Sequence, residues 1–143
     1  MLAAAAAATV LLGAAACGSG GQSPEPPPVP TGVDPDRVAP SNLPEPPKIE
    51  KEAGARSDAE MGECRTNAGE QTVTGKVTNN TDKTTDYVIT ISWVNSTFDV
   101  YGRGIAVVKG LKAGTSKDWK ISAKLDRDAA QCSLNVKRGE VKS

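Results

Sequence analysis

The sequence contains no histidine, and its aromatic residues are two tryptophans, two tyrosines and one phenylalanine among 143 residues. Without histidine the chain cannot form a Ser-His or Cys-His catalytic pair or a histidine-based zinc site. Asp126 and Asp128 flank Arg127, but acidic residues at this spacing in a polar stretch favour a solvated turn over a catalytic or calcium-binding pair. We therefore expect a protein that is not an enzyme and holds no cofactor or metal.

Clusters in which basic and aromatic residues alternate are also missing. Nucleic-acid-binding proteins use such clusters to hold the phosphate backbone and to stack on bases. We therefore expect no nucleic-acid partner.

Proline is missing from most of the chain, because all ten prolines lie between Pro24 and Pro47. Residues 18–63 also contain few aliphatic side chains and no aromatic one, which is too little apolar surface to offset the entropy lost on ordering. We interpret residues 17–63 as a disordered, acidic, proline-rich linker, extended in part as polyproline II. The run 48–60 is compatible with a helix but is expected to form a fraying turn at most.

Long apolar runs are confined to residues 1–16, which directly precede Cys17. This run is shorter than the roughly 20 residues needed to span a bilayer and has the length of a secretory apolar region. Three alanines before Cys17 resemble a lipobox, so we predict a lipoprotein signal peptide at 1–16 and lipidation of Cys17. The same alanines also fit ordinary signal peptidase, and no Lys or Arg precedes the run, so a secreted protein without an anchor is the alternative.

Cysteine is scarce as well, with only Cys64 and Cys132 left once Cys17 is lipidated. In an oxidising compartment two such residues are free to pair, whereas a metal site or thiol catalysis would need further ligands or a histidine. We predict a Cys64–Cys132 disulfide, whose large loop is worth about 4 kcal/mol in the chain-entropy model.

Charge differs in sign between the two parts of the chain. Residues 18–63 carry nine acidic and four basic side chains, whereas residues 64–143 carry eight acidic and thirteen basic ones. A basic domain is attracted to anionic surfaces, although salt screens this attraction. Lys117, Lys120 and Lys124 are our candidates for contact with a partner, either a cell-envelope protein or an anionic polymer; the alternative is that these charges only maintain solubility.

Hydrophobic residues in 64–143 recur with a period of two, which indicates strands rather than helices. Strands are predicted near residues 72–78, 87–94, 98–108, 117–125 and 132–136, with Gly102-Arg103-Gly104 expected to mark a bulge, bend or turn. We predict an all-β fold, a small immunoglobulin-like β-sandwich of five to seven antiparallel strands at residues 64–143. The side chains expected to face the core are Tyr87, Ile89, Ile91, Trp93, Phe98 or Tyr101, Trp119, Ile121, Ala123, Leu125, Cys132, Leu134 and Val136.

The order of several elements resembles a known family. A strand and turn at 73–83, the strand 87–93, a glycine-bearing turn, Leu111-x-Ala113-Gly114-Thr115 and a late Cys132 follow one another as in the FxLYD-type immunoglobulin-like domain of extracytoplasmic bacterial lipoproteins. Ile91-Ser92-Trp93-Val94-Asn95 stands where that family has its aromatic-x-Leu-Tyr-Asp signature. The resemblance implies a β-sandwich that serves as a binding or spacer module, without catalytic residues.

Together these patterns predict a lipoprotein anchored on the extracytoplasmic face of the cell membrane. Its sandwich is expected to bind another component of the cell envelope. An inert spacer is the main alternative, followed by a hydrolase or its accessory subunit. Nothing in the sequence indicates an oligomeric state.

Overall fold

The computed structural model describes Pro40 and residues 42–142. The predicted signal peptide, the lipidation site Cys17 and most of the predicted linker lie outside the described residues. The structure therefore bears on the folded domain and on the last residues before it.

Seven strands account for most of the described residues, and the remaining regular element is a single 3-10 turn at Arg56–Asp58. The strands are β1 (Ile49–Gly54), β2 (Ala59–Met61), β3 (Gly69–Thr78), β4 (Thr85–Val94), β5 (Val100–Leu111), β6 (Ser116–Leu125) and β7 (Gln131–Val141).

The strands form two antiparallel sheets that pack face to face. One sheet has the order β1-β7-β4-β5 and the other has the order β2-β3-β6. Consecutive strands change sheet at four places, β1 to β2, β3 to β4, β5 to β6 and β6 to β7, as in immunoglobulin-like sandwiches. The predicted fold class is confirmed.

The core lies between the inner faces of the two sheets, and alternation in β4 and β6 predicted it correctly. Tyr87, Ile89, Ile91 and Trp93 are fully buried from one sheet, and they meet the inward residues of β3 and β6 from the other. Those inward residues of β3 and β6 are Val73, Val77, Trp119, Ile121 and Leu125. The prediction that Phe98 faces the core is wrong, because this residue is 70% exposed.

Of the alternatives predicted at Gly102-Arg103-Gly104, a turn is wrong, since β5 runs through these residues. A register shift typical of a bulge does occur next to them, between the pairs Trp93–Gly102 and Val94–Val100. Both glycines face inward, and a Cβ on Gly102 or Gly104 would lie 2.3 Å from the side chain of Leu125 or Ile121, respectively. Glycine is required here because the two sheets approach each other closely, not because the strand turns.

The predicted boundary between linker and domain at residues 63 and 64 is also wrong. β1, the 3-10 turn and β2 all precede Cys64, so the sandwich begins at Ile49. β1 pairs with β7, and its charges meet opposite charges there: Glu50 lies 3.0 Å from Lys142 and Glu52 lies 2.8 Å from Lys137. Part of the predicted charge asymmetry is therefore neutralised within one sheet.

The chain just before β1 is placed against the sandwich as well. Pro46 lies at the outer face of the four-stranded sheet beside Val88 and Thr90, and the carbonyl of Pro44 accepts a hydrogen bond from Arg103 at 3.4 Å. Val88 points away from the core in register but is only 1% exposed. Residues 44–47, predicted to belong to the disordered linker, therefore form part of the folded domain.

The predicted disulfide between Cys64 and Cys132 is confirmed, with Cα atoms 6.4 Å apart. Cys64 lies in the connection between β2 and β3, whereas Cys132 lies near the start of β7 in the other sheet. The bond therefore joins the two sheets, and its 68-residue separation in sequence corresponds to about 4 kcal/mol of loop-closure entropy.

Candidate functional site

We call the end of the sandwich that holds the disulfide the disulfide end. Three connections lie there, namely residues 62–68, 95–99 and 126–130. Hydrogen bonds join two of them, since the backbone amide of Ala129 donates to the carbonyl of Thr66 at 2.7 Å and that of Ala68 donates to the carboxylate of Asp128 at 2.6 Å. The amide of Ala130 donates to the carbonyl of Val94 at 2.8 Å, at the end of β4 where the 95–99 loop begins. These contacts fix the first and third connections to each other and to the end of β4.

Trp93 supports this end from inside the core. It pairs in register with Cys132, and its indole N–H donates to the carbonyl of Arg65 at 2.9 Å. A buried tryptophan N–H needs such an acceptor, because an unpaired donor costs free energy. The disulfide and Trp93 thus hold the first connection against β7 and β4.

The 95–99 loop is organised by the side chain of Asn95. Its Oδ1 accepts hydrogen bonds from the amide and hydroxyl of Thr97, both at 2.9 Å, and from the amide of Asp99 at 2.8 Å. Its Nδ2 donates to Asp99 Oδ2 at 3.0 Å and to the hydroxyl of Tyr101 at 3.2 Å. One side chain therefore fixes the whole loop.

Phe98 is displayed at the tip of this loop. Its φ of 65° lies in the left-handed region, which costs a bulky residue about 1 kcal/mol or more. Phe98 is 70% exposed, and Val107, which is less exposed, is the only other exposed large hydrophobic residue of the described part. The loop therefore presents an aromatic ring to solvent at the cost of backbone strain at Phe98.

A cation lies beside this loop. The guanidinium of Arg127 lies 5.1 Å above the ring centre of Tyr101, within range of a cation–π interaction. The hydroxyl of Tyr101 also accepts a hydrogen bond from Asn95, so this cation–π pair adjoins the residue that organises the 95–99 loop. Aromatic residues and arginine are enriched in the binding hot spots of protein interfaces.

The opposite end, which we call the polar end, contains a buried hydrogen-bond network around Asp58. The Asp58 carboxylate accepts hydrogen bonds from the hydroxyl of Tyr87 and from the guanidinium of Arg138, both at 2.9 Å. It also accepts one from the side-chain amide of Asn80 at 3.1 Å. Burial raises the pKa of Tyr87 to about 12, and the hydrogen bond to Asp58 acts in the same direction. This network connects the 3-10 turn to β4 and β7.

Asn79 completes the polar end. Its Nδ2 donates to the carbonyls of Lys83 and Leu111 at 2.7 and 2.8 Å, and its Oδ1 accepts from Thr81. The side chains of this network have partners, which is the pattern of a structural network rather than of groups waiting for a substrate. The cleft beside it is lined by residues of mixed charge, including Lys51, Asp86 and Glu140.

The three lysines predicted to contact a partner do not share a face. Lys120 and Lys124 lie on the outer face of the three-stranded sheet, opposite Thr74 and Glu70. Lys117 lies opposite the buried Val77 and is therefore on the inner face of the same sheet. The structure brings Lys117 and Lys120 near one cleft between β5 and β6, and it leaves Lys124 outside that cleft.

Two further observations concern the described residues only. None of their helical segments is long and apolar enough to cross a membrane. Within residues 42–142, no three His, Cys, Asp or Glu side chains form a group that could hold a metal ion.

Comparison of the chain with protein families, with curated proteins and with solved structures finds no match in any of the three. The function therefore has to be argued from the residues themselves.

Proposed function

We propose that this protein is a lipid-anchored extracytoplasmic lipoprotein whose non-catalytic β-sandwich binds another component of the cell envelope. The observation that carries the proposal is the position of Phe98, an exposed aromatic ring on a strained loop that Asn95 holds in place. Backbone strain persists where function requires it. A loop backbone that is fixed before binding also loses little conformational entropy when a partner packs on it.

The chemistry of the described residues favours binding over catalysis. The best-formed polar constellation, around Asp58, is buried and is occupied by its own hydrogen bonds. At the disulfide end, by contrast, the exposed groups include an aromatic ring and a guanidinium, which suit recognition of a surface.

The anchored location is proposed from residues 1–17, and the FxLYD-type resemblance is consistent with it. The confirmed disulfide supports the proposal, because disulfides persist in oxidising compartments outside the cytosol. The mass of the mature N terminus is the test. A diacylglyceryl adduct on Cys17 is expected, and a Cys17→Ser chain should lack it; an unmodified Cys17 at the mature N terminus would instead indicate a secreted protein.

The binding proposal is tested by photo-crosslinking in intact cells. A photoreactive phenylalanine analogue at position 98 should give a reproducible adduct with one envelope component. The same analogue at exposed position 112, in the turn between β5 and β6 at the polar end, is the matched control and should give none. If position 98 yields no adduct above this control, the domain acts as a spacer.

A further inference from the structure

The two sheets have four outer edges, formed by β1 and β5 in one sheet and by β2 and β6 in the other. A free edge exposes backbone N–H and C=O groups that can pair with another strand, and proteins usually block such edges with charges, bulges or short strands.

Three of the edges carry such a block. β1 has a bulge between Glu50 and Ala53, with Lys51 at φ 51°. β2 is only three residues long. β6 carries four charged residues among its ten, namely Lys117, Asp118, Lys120 and Lys124.

β5 is different. Residues 102–108 pair with β4 in unbroken register and contain one charged side chain, Arg103. Ile105 and Val107 point to the outer face, opposite Thr90 and Val88, and Val107 is 41% exposed. Among the described residues no strand is hydrogen-bonded to the other side of β5. Residues 102–108 therefore form a regular, largely apolar edge between the two register shifts of the β4–β5 pair, in which Gly102 and Gly104 are buried against β6 and residues 105–108 are the more open part.

A cleft opens between the β5 edge and the underlying β6. Ala106, Val108 and Leu111 line it from β5, and Trp119 lines it from β6. Trp119 is 5% exposed, and its buried indole N–H has no hydrogen-bond acceptor among the described residues. The cleft therefore has an apolar floor that is closed by the Trp119 ring.

The charges around this cleft favour an acidic guest. Lys109, Lys117 and Lys120 line it together with one acidic residue, Asp118, so lysines outnumber carboxylates in the lining three to one. The carboxylates of an incoming strand would meet these lysines, whereas a basic strand would be repelled.

We propose that β5 accepts an extended, acidic segment of a partner protein, which adds a fifth strand to the four-stranded sheet. Alternate side chains of that segment would pack on Ile105 and Val107 or enter the cleft beside Lys117 and Trp119. This mode of recognition takes affinity from backbone pairing and specificity from alternate side chains. The surface is separate from the Phe98 loop and does not depend on it.

The test uses the full-length chain and a fluorescent eight-residue peptide of alternating glutamate and valine. Fluorescence anisotropy should show saturable binding, and hydrogen exchange should show new amide protection at 102–108. Lys117→Glu and Lys120→Glu should each weaken binding about fivefold, as expected for loss of one exposed ion pair. Lys124→Glu, on the same strand but outside the cleft, is the control and should stay within about twofold of the unsubstituted chain.

Two further probes address the mode of binding. The same peptide with N-methyl groups on alternate amides keeps its charges but cannot pair as a strand, and it should not bind. A lysine-valine peptide should not bind either. Equal binding of the methylated peptide, protection outside β5, or self-association of the chain through β5 would overturn the proposal. Phe98→Ala should leave peptide binding unchanged, which separates this result from the outcome of the crosslinking.

Discussion

The two ends of the sandwich are closed by different chemistry. At the disulfide end a covalent bond joins the sheets, and backbone hydrogen bonds tie two of the connections to each other and to the end of β4. At the polar end the buried carboxylate of Asp58 and the amide of Asn79 do this work through hydrogen bonds alone. Of the two ends, the covalently closed one carries a strained, exposed aromatic residue.

A physical reason for this division follows from where the polar groups point. The hydrogen bonds of the polar end are directed inward, so this end has no strained aromatic residue on display. The disulfide end gains its stability from a bond that needs no exposed side chain, which leaves its loop free to carry Phe98. The following predictions test this contrast, beginning with the largest effect.

Removing the disulfide should have the largest effect. The double variant Cys64→Ala, Cys132→Ala should lose about 4 kcal/mol in the free energy of unfolding, because the unfolded chain regains its loop entropy. Urea denaturation monitored by tryptophan fluorescence measures this. Cys17→Ser is the control and should leave the midpoint unchanged, and a loss below about 1 kcal/mol would contradict the covalent account of this end.

Removing the carboxylate at the polar end should cost somewhat less. Asp58→Ala leaves the guanidinium of Arg138 and the hydroxyl of Tyr87 without their acceptor, so we expect a loss of about 3 kcal/mol. The exposed Asp82, in the neighbouring loop, offers a control, since Asp82→Ala should change stability by no more than about 0.5 kcal/mol. Equal effects of the two substitutions would show that the network contributes nothing.

The polar end should also respond to alkaline pH. The pKa of Tyr87 is raised to about 12 in the folded protein, against about 10 in an unfolded chain, because burial disfavours the phenolate. Its contribution to stability is therefore complete below pH 10 and is lost as the pH rises towards 12, by on the order of 2 kcal/mol. Denaturation midpoints measured at several pH values should fall more steeply for the natural chain than for Tyr87→Phe; parallel curves would contradict this.

The smallest effect has the opposite sign. Phe98→Gly should raise the free energy of unfolding by about 0.5–1 kcal/mol, because glycine adopts a positive φ without strain. Ser96→Gly, in the same loop at an ordinary φ, should instead be neutral or destabilising. Binding to the partner should be lost in Phe98→Gly despite its greater stability, as measured by co-purification from envelopes, and unchanged binding would exclude the loop as the contact.

Alternation of side chains predicted the centre of this fold because β4 and β6 each bury one face. Trp119, Ile121, Ala123 and Leu125 occupy every second position, so the period alone reveals the strand. β1 has no such pattern, since its residues pair with β7 through charges and backbone hydrogen bonds instead of a buried face. Its partner lies more than seventy residues away in the sequence, and a local pattern carries no information about it.

The candidate site was harder to predict. An aromatic residue next to a strand is usually part of the core, and only the capping side chain of Asn95 shows that Phe98 belongs to the loop. The break at Asn95-Ser96-Thr97 was a usable signal, but its extent depends on hydrogen bonds that the sequence does not display. Lys117 and Lys120 are three positions apart, so a strict period of two would already have placed them on opposite faces.

The pairing of β1 with β7 has a consequence for how the molecule is made. The first strand leaves the ribosome long before its partner, which is the last of the seven, so the four-stranded sheet closes only after nearly all of the domain has been synthesised. A product that stops before residue 131 would leave β1 and one side of β4 unpaired, as substrates for proteases and chaperones. Only molecules that include β7 therefore resist degradation. The closure of this sheet thus distinguishes complete chains from truncated ones.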